Sequence, residues 1–431
     1  MSIDRTFMKK RNAGWLAACT LLGFLLAGLP FAAAAEGPPP EDVPAGWERW
    51  LDNEYYKIHL NVRARAEFAD IDGFDSSQAY TVRTRLGIGS KPFYGFSAYA
   101  EVENNFTFAH NEYYNGVESP TGQSIIADPS DTELNQAYLK YENPDFYGAK
   151  LIGGRQRIKL DDDRFVGNVG WRQLEQTYDS AFVAGSPVQN LTLNYGYIWD
   201  VRRIFGDEGP PNRRDWNSES HLIRTEYNRW EAAKIVVFAY LLDFKNDAPG
   251  FSSNSYGFRV TGKKTLSGPW GISYAGSYAY QTDAGKNPVN YSASYVAAEG
   301  GVFNTGLGAV AVGYELLGSD DGKARFVTPL ATLHKFNGWA DSFLNNGGPN
   351  GLQDLYLSIA PKLPWGLKGK LVYHHFWSDE GSHSLADEVD VVLAKPINEH
   401  VTVLTKAAWF DGYSKGPADR YRFWLQLEFK Y

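Results

Sequence analysis

Arginines that recur two positions apart are the residues in this sequence best placed to do chemistry. The pairs are Arg63 with Arg65, Arg83 with Arg85 and Arg155 with Arg157, and further arginines follow at Arg224 and Arg259. A guanidinium group presents a rigid fork of donors that matches a carboxylate bidentately. Arginines that line a narrow passage therefore favour solutes that carry carboxylates.

Acidic residues lie in the same segments and offer the arginines partners within the chain. They are Glu67, Glu101, Glu103 and Glu226. If a carboxylate neutralises each arginine, the passage is only cross-linked by ion pairs and has no preference among solutes. The sequence leaves both interpretations open, because the net charge does not show where the acidic residues lie.

Other arrangements that resemble catalytic or metal sites carry weaker signals. Residues 412–416 match the Gly-x-Ser-x-Gly pattern of a nucleophile elbow, but the helix that this elbow requires is not predicted after them. His374 and His375 are neighbours on a predicted strand, so they point to opposite faces and cannot bind one metal ion. Three aspartates at 161–163 lack the spacing of a calcium loop. We expect no enzyme activity, metal or cofactor, with calcium in this loop as the alternative.

Strict alternation of apolar and polar residues indicates the elements that position the arginines. In the segment 56–68, one face carries apolar residues and the other polar residues: Ile58, Leu60, Val62, Ala64, Ala66 and Phe68 against Lys57, His59, Asn61, Arg63, Arg65 and Glu67. Strands of soluble proteins average about five or six residues, whereas a tilted membrane strand needs about 9–11. The length of this segment therefore favours a strand that spans a membrane.

The last segment of the chain, 420–431, shows the same alternation and finishes on an aromatic residue. Phe429 and Tyr431 share its apolar face, while Arg420 and Arg422 lie on its polar face. The barrel-assembly machinery of Gram-negative bacteria recognises outer-membrane proteins by a C-terminal strand of this kind. We therefore expect Phe429 and Tyr431 to form the assembly signal and this machinery to be a partner.

Alternating segments between these two predict sixteen further strands. They lie near residues 79–90, 94–108, 132–141, 148–159, 179–186, 190–200, 219–229, 233–244, 254–263, 270–281, 290–298, 306–317, 352–361, 367–377, 386–395 and 400–410. The predicted fold class is all-β: a transmembrane, antiparallel, up-and-down β-barrel of about 18 strands with long extracellular loops. A 16-stranded barrel is the alternative, because a short segment such as 179–186 need not form a strand. Tight turns are expected near 90–92, 143–144 and 395–398, and long loops at 109–131, 160–178, 201–218 and 318–351.

The N-terminal segment predicts export from the cytoplasm. Basic residues at 9–11 precede an apolar stretch over 13–31, and small residues up to Ala35 complete the pattern of a secretory signal. We expect Sec export, cleavage near Ala35 and insertion in the bacterial outer membrane, with a membrane anchor or a lipoprotein signal as the alternatives. The expected regions are a signal peptide over 1–35, a Pro-rich leader over 36–55 and one transmembrane barrel over 56–431.

Composition narrows the class of protein further. The chain has 43 glycines, 27 tyrosines, 25 phenylalanines and 13 tryptophans, which is typical of a barrel that faces lipid and unusual for a soluble protein. Removal of residues 1–35 takes away the only cysteine, so a mature chain has no disulfide. It also lowers the net charge from −8 to −11, because the segment contains four basic residues and one acidic residue. Such an acidic chain is a poor binder of nucleic acids.

Several segments resemble the alginate-export family of outer-membrane porins. They are Thr-Arg-Leu-Gly at 84–87, Asn-Gln-Ala-Tyr at 135–138, Gly-Arg-Gln at 154–156, Arg164-Phe165 with Gly167, Trp171-Arg172 with Asp179, and His-Lys-Phe-Asn-Gly-Trp-Ala-Asp at 334–341. The last is the most specific, and the resemblance runs from about residue 56 to the C-terminus. It implies a monomeric, 18-stranded barrel that passes the anionic polysaccharide alginate through an arginine- and lysine-lined constriction. By this resemblance, the constriction residues here are Arg85, Arg155, Arg164 and Arg172.

The segment 318–351 is a long connection with several large apolar residues. Phe336, Trp339 and Phe343 are too apolar for a freely solvated loop, and a connection of about 30 residues is usually functional or disordered. We expect this segment to fold into or over the pore. Its expected pore-loop residues are His334, Lys335, Phe336, Trp339 and Asp341.

Together these patterns predict a passive outer-membrane channel that prefers anionic solutes. The expected cargo is a uronate-type polysaccharide or oligosaccharide, and the expected surroundings are outer-membrane lipid and lipopolysaccharide. Three alternatives stay open: an unselective general porin, a barrel enzyme of the outer-membrane lipase or protease kind, and a structural adhesin. A barrel enzyme requires a Ser/His or Asp/His pair at the mouth of the barrel.

Overall fold

The computed structural model describes residues 51–108, 112–118, 121–230, 232–245, 248–344 and 348–431. The expected signal peptide and most of the expected leader therefore lie outside the described residues. Among the residues described, no helix is both long and apolar enough to cross a membrane.

The described residues form eighteen β-strands. Their bounds are β1 Tyr56–Ile71, β2 Ser77–Ser90, β3 Phe96–Thr107, β4 Asp131–Asn143, β5 Ala149–Gln156, β6 Thr177–Val188, β7 Leu191–Arg202, β8 Asp215–Trp230, β9 Ala233–Leu242, β10 Ser253–Ser267, β11 Trp270–Asp283, β12 Ser292–Asn304, β13 Gly308–Leu317, β14 Leu352–Pro361, β15 Lys368–Trp377, β16 Ser384–Pro396, β17 Val401–Gly412 and β18 Arg420–Lys430. The predicted number of 18 is confirmed. The segment that had left 16 strands open, 179–186, lies within β6.

The eighteen strands close into one sheet. Each strand pairs with the next along the chain in the antiparallel sense, and β1 also pairs with β18. At this seam Arg63 lies opposite Glu428, and the backbones of Leu60 and Tyr431 exchange hydrogen bonds of 3.1 and 2.8 Å. Closure pairs both edges of the sheet, which a sheet surrounded by lipid requires.

Connections at the two ends of the barrel differ in length. The end near the start of β1 and the end of β18, called the turn end below, has short connections such as 91–95, 144–148, 189–190, 268–269 and 397–400. The opposite end, the loop end, has the long connections 108–130, 157–176, 203–214 and 318–351. The predicted turns and long loops are therefore found, with their bounds shifted by a few residues.

The two faces of the sheet have opposite character. Apolar side chains on the outer face are about half exposed, for example Leu86 at 55% and Leu427 at 50%. Side chains on the inner face are buried although many are charged, and Arg83 and Glu103 are both 0% exposed. An apolar outer band around a polar interior is the pattern of a barrel in a membrane.

Arg155 departs from the prediction that it lines the lumen. Leu151 is exposed on the outer face, and Arg155 follows it by four residues on the same strand. Across the sheet Arg155 pairs with Asp179. Its Nε lies 2.7 Å from Asp179 Oδ1. Because alternate residues of a strand share a face, this ion pair lies on the outside of the barrel. Arg155 is therefore not a constriction residue.

Candidate functional site

Two long connections at the loop end fold into the barrel and contact each other. They are called here the first inner loop, 157–176, and the second inner loop, 318–344. The Gly167 amide donates to the Leu330 carbonyl at 2.9 Å, and the Thr332 amide donates to the Asp163 carbonyl at 3.0 Å. Inward folding had been predicted from the residues of 318–351, whereas the loop predicted at 160–178 was connected to the lumen only by the family resemblance, which assigned Arg164 and Arg172 to the constriction.

Apolar side chains anchor both inner loops to the barrel wall. Phe165 of the first loop packs on Phe238 of β9 and Tyr295 of β12, with ring centroids 4.8 and 5.3 Å apart. Phe343 of the second loop packs on Phe376 of β15 at 4.7 Å. The loops therefore bury their apolar residues inside the barrel instead of exposing them to water.

The three aspartates at 161–163 fix the first inner loop to strands β8 and β10 and to the second inner loop. They have separate partners: Asp161 Oδ1 lies 2.6 Å from Arg224, Asp162 Oδ2 lies 2.8 Å from Arg259, and Asp163 Oδ2 lies 3.5 Å from Lys335. Since each carboxylate has its own cation, the three do not converge on one ion. Residues 161–163 thus form a set of ion pairs, in which Arg224 and Arg259, predicted to line the pore, anchor the loop.

Arg164 joins the first inner loop to β13 and to the second inner loop. Its guanidinium contacts both carboxylate oxygens of Glu315, at 2.7 and 3.0 Å, and donates to Asn337 Oδ1 at 3.1 Å. Phe336 stacks over it with a 4.8 Å separation. Burial disfavours its charge, but Glu315 outweighs burial and raises the pKa of Arg164. This arginine is fully matched by a carboxylate.

Arg172 makes the same kind of connection further along the first inner loop. It contacts Glu67 of β1 at 3.3 Å, Asp341 of the second inner loop at 2.5 Å and Asp128 of the 108–130 connection at 3.9 Å. Burial opposes its charge, yet Glu67 and Asp341 outweigh burial and raise the pKa of Arg172. One guanidinium therefore holds together three elements inside the barrel.

Arg85 and Arg157 face each other across the carboxylate of Glu175. Arg85 hydrogen-bonds Glu103 and lies 3.5 Å from Glu175. Arg157 hydrogen-bonds Glu175 and lies 2.6 Å from Glu101. Burial acts to raise the pKa of Glu175, but the two arginines outweigh it and lower this pKa to about 2. Both arginines thus have carboxylate partners.

Lys406 of β17 is held in a cage of aromatic rings contributed by both inner loops and β18. Its ammonium lies over three indole rings: Trp339 at 3.9 Å, Trp171 at 4.2 Å and Trp424 at 5.4 Å. A cation over an aromatic face is attracted by the ring electrons. This lysine therefore attaches both loops to the same part of the wall.

His334 connects the Lys406 cage to the charged network. Its Nε2 lies 2.7 Å from Lys406 Nζ, and its Nδ1 lies 2.8 Å from Asp341 Oδ1. Burial and the lysine charge lower the pKa of His334 to about 3, although Asp341 opposes this. His334 is neutral at physiological pH, accepting from the lysine and donating to the carboxylate.

Carboxylates on β16 bind the backbone of the second inner loop. The amide of Trp339 donates to Asp390 Oδ2 at 3.1 Å, and the amide of Ala340 donates to Glu388 Oε1 at 2.6 Å. On the other side, Arg422 of β18 donates to the Ala340 carbonyl at 3.1 Å. The acidic part of the wall is thus occupied by the loop.

A cavity of about 550 Å³ lies between the first inner loop and the strands β1, β2, β3 and β18. It is called the vestibule here, and residues near the turn end, such as His59 and Lys430, contribute to it. Its charged lining comprises six cationic and four acidic side chains: Arg63, Arg83, Arg85, Arg157, Lys159 and Lys430 against Glu101, Asp163, Glu175 and Glu428. Positive charge is therefore in excess among its lining side chains.

Two arginines of the vestibule lie directly opposite each other. Arg63 of β1 pairs in register with Arg83 of β2, and both lie 3.3 Å from the same oxygen, Oε1 of Glu428. Arg63 also donates to the carbonyls of residues 170–172. Like charges opposite each other on neighbouring strands repel. One shared carboxylate thus leaves a surplus positive charge here.

The sequence had not indicated which arginines are unmatched. Among the described residues, buried nitrogens without a hydrogen-bond partner include Arg63 Nε, Arg83 Nε and Nη1, and Arg85 Nη2. By contrast, Arg65 donates to Gln426, Asp128 and the Trp171 carbonyl. The unmatched donors lie along the β1–β2 wall of the vestibule.

Two neighbouring histidines of β15 each pair with an aspartate. His374 Nδ1 lies 2.9 Å from Asp354, and its Nε2 faces Asp390 at 3.7 Å. His375 binds Asp387 at 2.7 Å on the outer face. Both ring nitrogens of His374 therefore face carboxylates. The 412–416 pattern lies where β17 ends, and its connection leads into β18.

Comparisons with known proteins agree with the barrel architecture. The sequence matches the protein family described as alginate export over residues 48–316. No curated protein is significantly similar to the chain by sequence.

Among solved structures with the same fold are outer-membrane proteins of two bacteria. Acinetobacter baumannii OccAB4 has a TM-score of 0.66 and 13% identity, with 88% of this chain and 98% of that chain covered. Pseudomonas aeruginosa OccK9 (OpdG) has a TM-score of 0.65 and 13% identity, with coverages of 87% and 98%. Pseudomonas aeruginosa OpdK with vanillate has a TM-score of 0.65 and 15% identity, with coverages of 87% and 98%.

Proposed function

This chain belongs to the alginate-export family and forms an outer-membrane β-barrel channel, and from this premise we propose that it passes anionic solutes, with uronate-type saccharides as its cargo. The observation that carries the proposal is the pair Arg63 and Arg83, which share a single carboxylate oxygen of Glu428 on the wall of the vestibule. A mobile anion that passes this wall meets a positive charge that the protein does not neutralise.

The location of this charge makes it effective. Arg83 is 0% exposed and Arg63 is 8% exposed, so bulk water and salt screen them poorly. In such surroundings the interaction between two charges is several times stronger than in water. Anions therefore gain more energy in the vestibule than cations do.

Uronate chains fit this field because each sugar ring carries one carboxylate. Arg63 and Arg83, at opposed positions of two neighbouring strands, attract these carboxylates through their surplus positive charge. OpdK, a protein with the same fold, was solved with vanillate, which makes this carboxylate a useful additional test solute. A channel with ion-paired walls alone is the competing function.

Reversal potentials in a planar bilayer under a salt gradient test the proposal. We expect the wild-type channel to be permeable to chloride more than to potassium. In liposomes, we expect an oligouronate to enter faster than a neutral oligosaccharide of the same length. Equal permeability to both ions together with equal rates for the two sugars would make the protein an unselective porin.

A further inference from the structure

Two acidic side chains, Glu388 and Asp390, lie next to each other on the lumen face of β16, beneath the second inner loop. They are two residues apart on the strand, so they share a face, and they are 1% and 0% exposed. We propose that this pair forms a site for one proton, shared between the two carboxyl groups, and that the second inner loop stays docked only while the proton is bound. The proposal concerns gating and does not depend on which ions the channel prefers.

Each carboxyl group of the pair uses one oxygen to hold the loop and leaves the other oxygen without a donor. Asp390 Oδ2 accepts from the Trp339 amide at 3.1 Å, and Glu388 Oε1 accepts from the Ala340 amide at 2.6 Å. Glu388 Oε2 and Asp390 Oδ1 are buried and have no hydrogen-bond donor among the described residues. The two carboxyl groups lie within hydrogen-bond reach of each other, so a proton on one of them gives the pair the donor that it lacks.

The bases around the pair already have other acceptors. The charged or titratable groups that face the pair come from β15, β17, β18 and the second inner loop: His374, Lys406, Arg420, Arg422 and Asp341. Lys406 donates to His334 at 2.7 Å, and the two arginines of β18 donate to loop carbonyls at 3.3 and 3.1 Å. Within the described part of the chain, the one base at ion-pair distance from the pair is His374, 3.7 Å from Asp390, and its other nitrogen binds Asp354 at 2.9 Å. The surroundings therefore do not neutralise two negative charges on the pair.

Close backbone contact makes the loop sensitive to the charge of the pair. Gly338 has a φ of +84°, and a Cβ at this position would collide with the Glu388 carboxyl group, so the loop backbone packs directly on it. Two buried carboxylates side by side repel each other, and one of them therefore keeps a proton. When this proton leaves, the carboxylates can relieve their repulsion only by turning away from the Trp339 and Ala340 amides. Loss of the proton thus releases the tip of the second inner loop.

Single-channel recording above neutral pH tests the proton site. The open fraction of wild-type channels should rise by up to about tenfold per pH unit between about pH 7 and pH 10, because one proton is lost. In Glu388→Gln, the amide group keeps an acceptor for Ala340 and gives Asp390 a permanent donor, so the loop should stay docked over this range. Glu299→Gln is the matched control: Glu299 of β12 lies on the lumen face and accepts from Tyr356 at 2.9 Å, and its variant should open as wild type does.

Infrared difference spectra between neutral and alkaline pH detect the proton itself. A protonated carboxyl group has a C=O stretching band that a carboxylate lacks. Wild type and Glu299→Gln should lose such a band as the pH rises, and Glu388→Gln should lack this loss. Deprotonation of Lys406 gives no such band and would still open the Glu388→Gln channel.

Three results would overturn the proposal. The first is an alkaline opening in Glu388→Gln equal to that of wild type. The second is an infrared difference spectrum that Glu388→Gln leaves unchanged. The third is opening of wild-type channels at constant pH when a bulky organic cation replaces sodium, because a metal ion then holds the pair instead of a proton. If Glu388→Gln does not assemble, Asp390→Asn makes the same replacement from the other side of the pair, and an alkaline opening of wild-type size in that variant contradicts the proposal.

Discussion

The inner-loop contacts and the vestibule use the same residue type in opposite ways. Arg164 contacts both oxygens of Glu315 and Arg172 contacts three carboxylates, whereas Arg63 and Arg83 share a single oxygen of Glu428. All four are buried within the same barrel. The number of carboxylates near an arginine, and not the arginine itself, thus separates an anchor from a binding group.

This difference has a physical reason. A buried charge is tolerated only when partners replace its lost hydration, so a matched pair holds its elements together but offers little to a passing solute. An unmatched charge stabilises the protein less and attracts a mobile anion more. Variants of Arg164 and Arg172 should therefore change the stability of the barrel, whereas variants of Arg63 and Arg83 should change its ion selectivity.

Arg172→Met should have the largest effect on stability. Glu67 keeps Arg422 and Asp128 keeps Arg65, but Asp341 is left buried with only the neutral His334, and removing one partner of a buried pair costs about 3–5 kcal/mol. We expect a lower temperature of heat modification on gels and a larger, noisier single-channel conductance as the inner loops detach.

Arg155→Met is the control for this variant. Its guanidinium also pairs with an aspartate, Asp179, but it lies on the outer face and touches neither inner loop through that pair. It should leave conductance unchanged. If Arg172→Met and Arg155→Met give the same conductance as wild type, the inner loops are not held by Arg172.

His334 should make docking of the second inner loop depend on pH, with a smaller effect than that of Arg172→Met. Docking lowers its pKa from 6.5 to about 3, so the docked loop binds fewer protons than the free loop. The stability that this histidine contributes is fully present above pH 6.5 and is lost as the pH falls towards 3. Within that window, docking of the second inner loop should weaken by up to about tenfold per pH unit.

Conductance measured from neutral pH down to about pH 4 checks whether docking of the second inner loop weakens as the pH falls. Wild-type channels should become noisier and more open as the pH falls, and His334→Asn should reduce this dependence because asparagine does not titrate. If the conductance instead decreases at low pH, or if His334→Asn shows the same dependence of conductance on pH as wild type, the pH response belongs to other groups.

Much of the fold could be predicted because period-two alternation is a local property. Each strand shows its lipid face in its own sequence, as in 56–68 and 420–431, and the number of such segments gave the number of strands. The closing pairing of β1 with β18 follows from the need to remove edges in lipid. Neither inference required knowledge of distant contacts.

Arg155 and Arg157 show where alternation stops being informative. Its spacing from Arg157 suggested a shared face, but β5 ends at Gln156 and the chain then turns into the lumen. Arg157 therefore points to Glu101 and Glu175 inside, while Arg155 points out. Alternation from the exposed Leu151 already places Arg155 outside, and the strand end at Gln156, three residues before the predicted end at 159, is what separates Arg157 from it.

Partners far apart in sequence were also beyond prediction. Asp161 meets Arg224, and Arg164 meets Glu315, through a loop that crosses the interior of the barrel. The large apolar residues Phe165 and Trp171 in 157–176 were the local signal of an inward loop, the same signal that predicted inward folding of 318–351, but they do not identify the partners. The roles of Arg164 and Arg172 came from family resemblance, and the structure shows them buried among carboxylates.

The central claim is that unmatched charge in the vestibule sets the preference for anions. Reversal potentials of Arg83→Met and Glu428→Gln, measured beside wild type under one salt gradient, test it most directly. The first removes a surplus cation and should shift the potential towards cation permeation; the second removes the shared carboxylate and should shift it further towards anions. Shifts of opposite sign support the account, and unchanged potentials in both variants would contradict it.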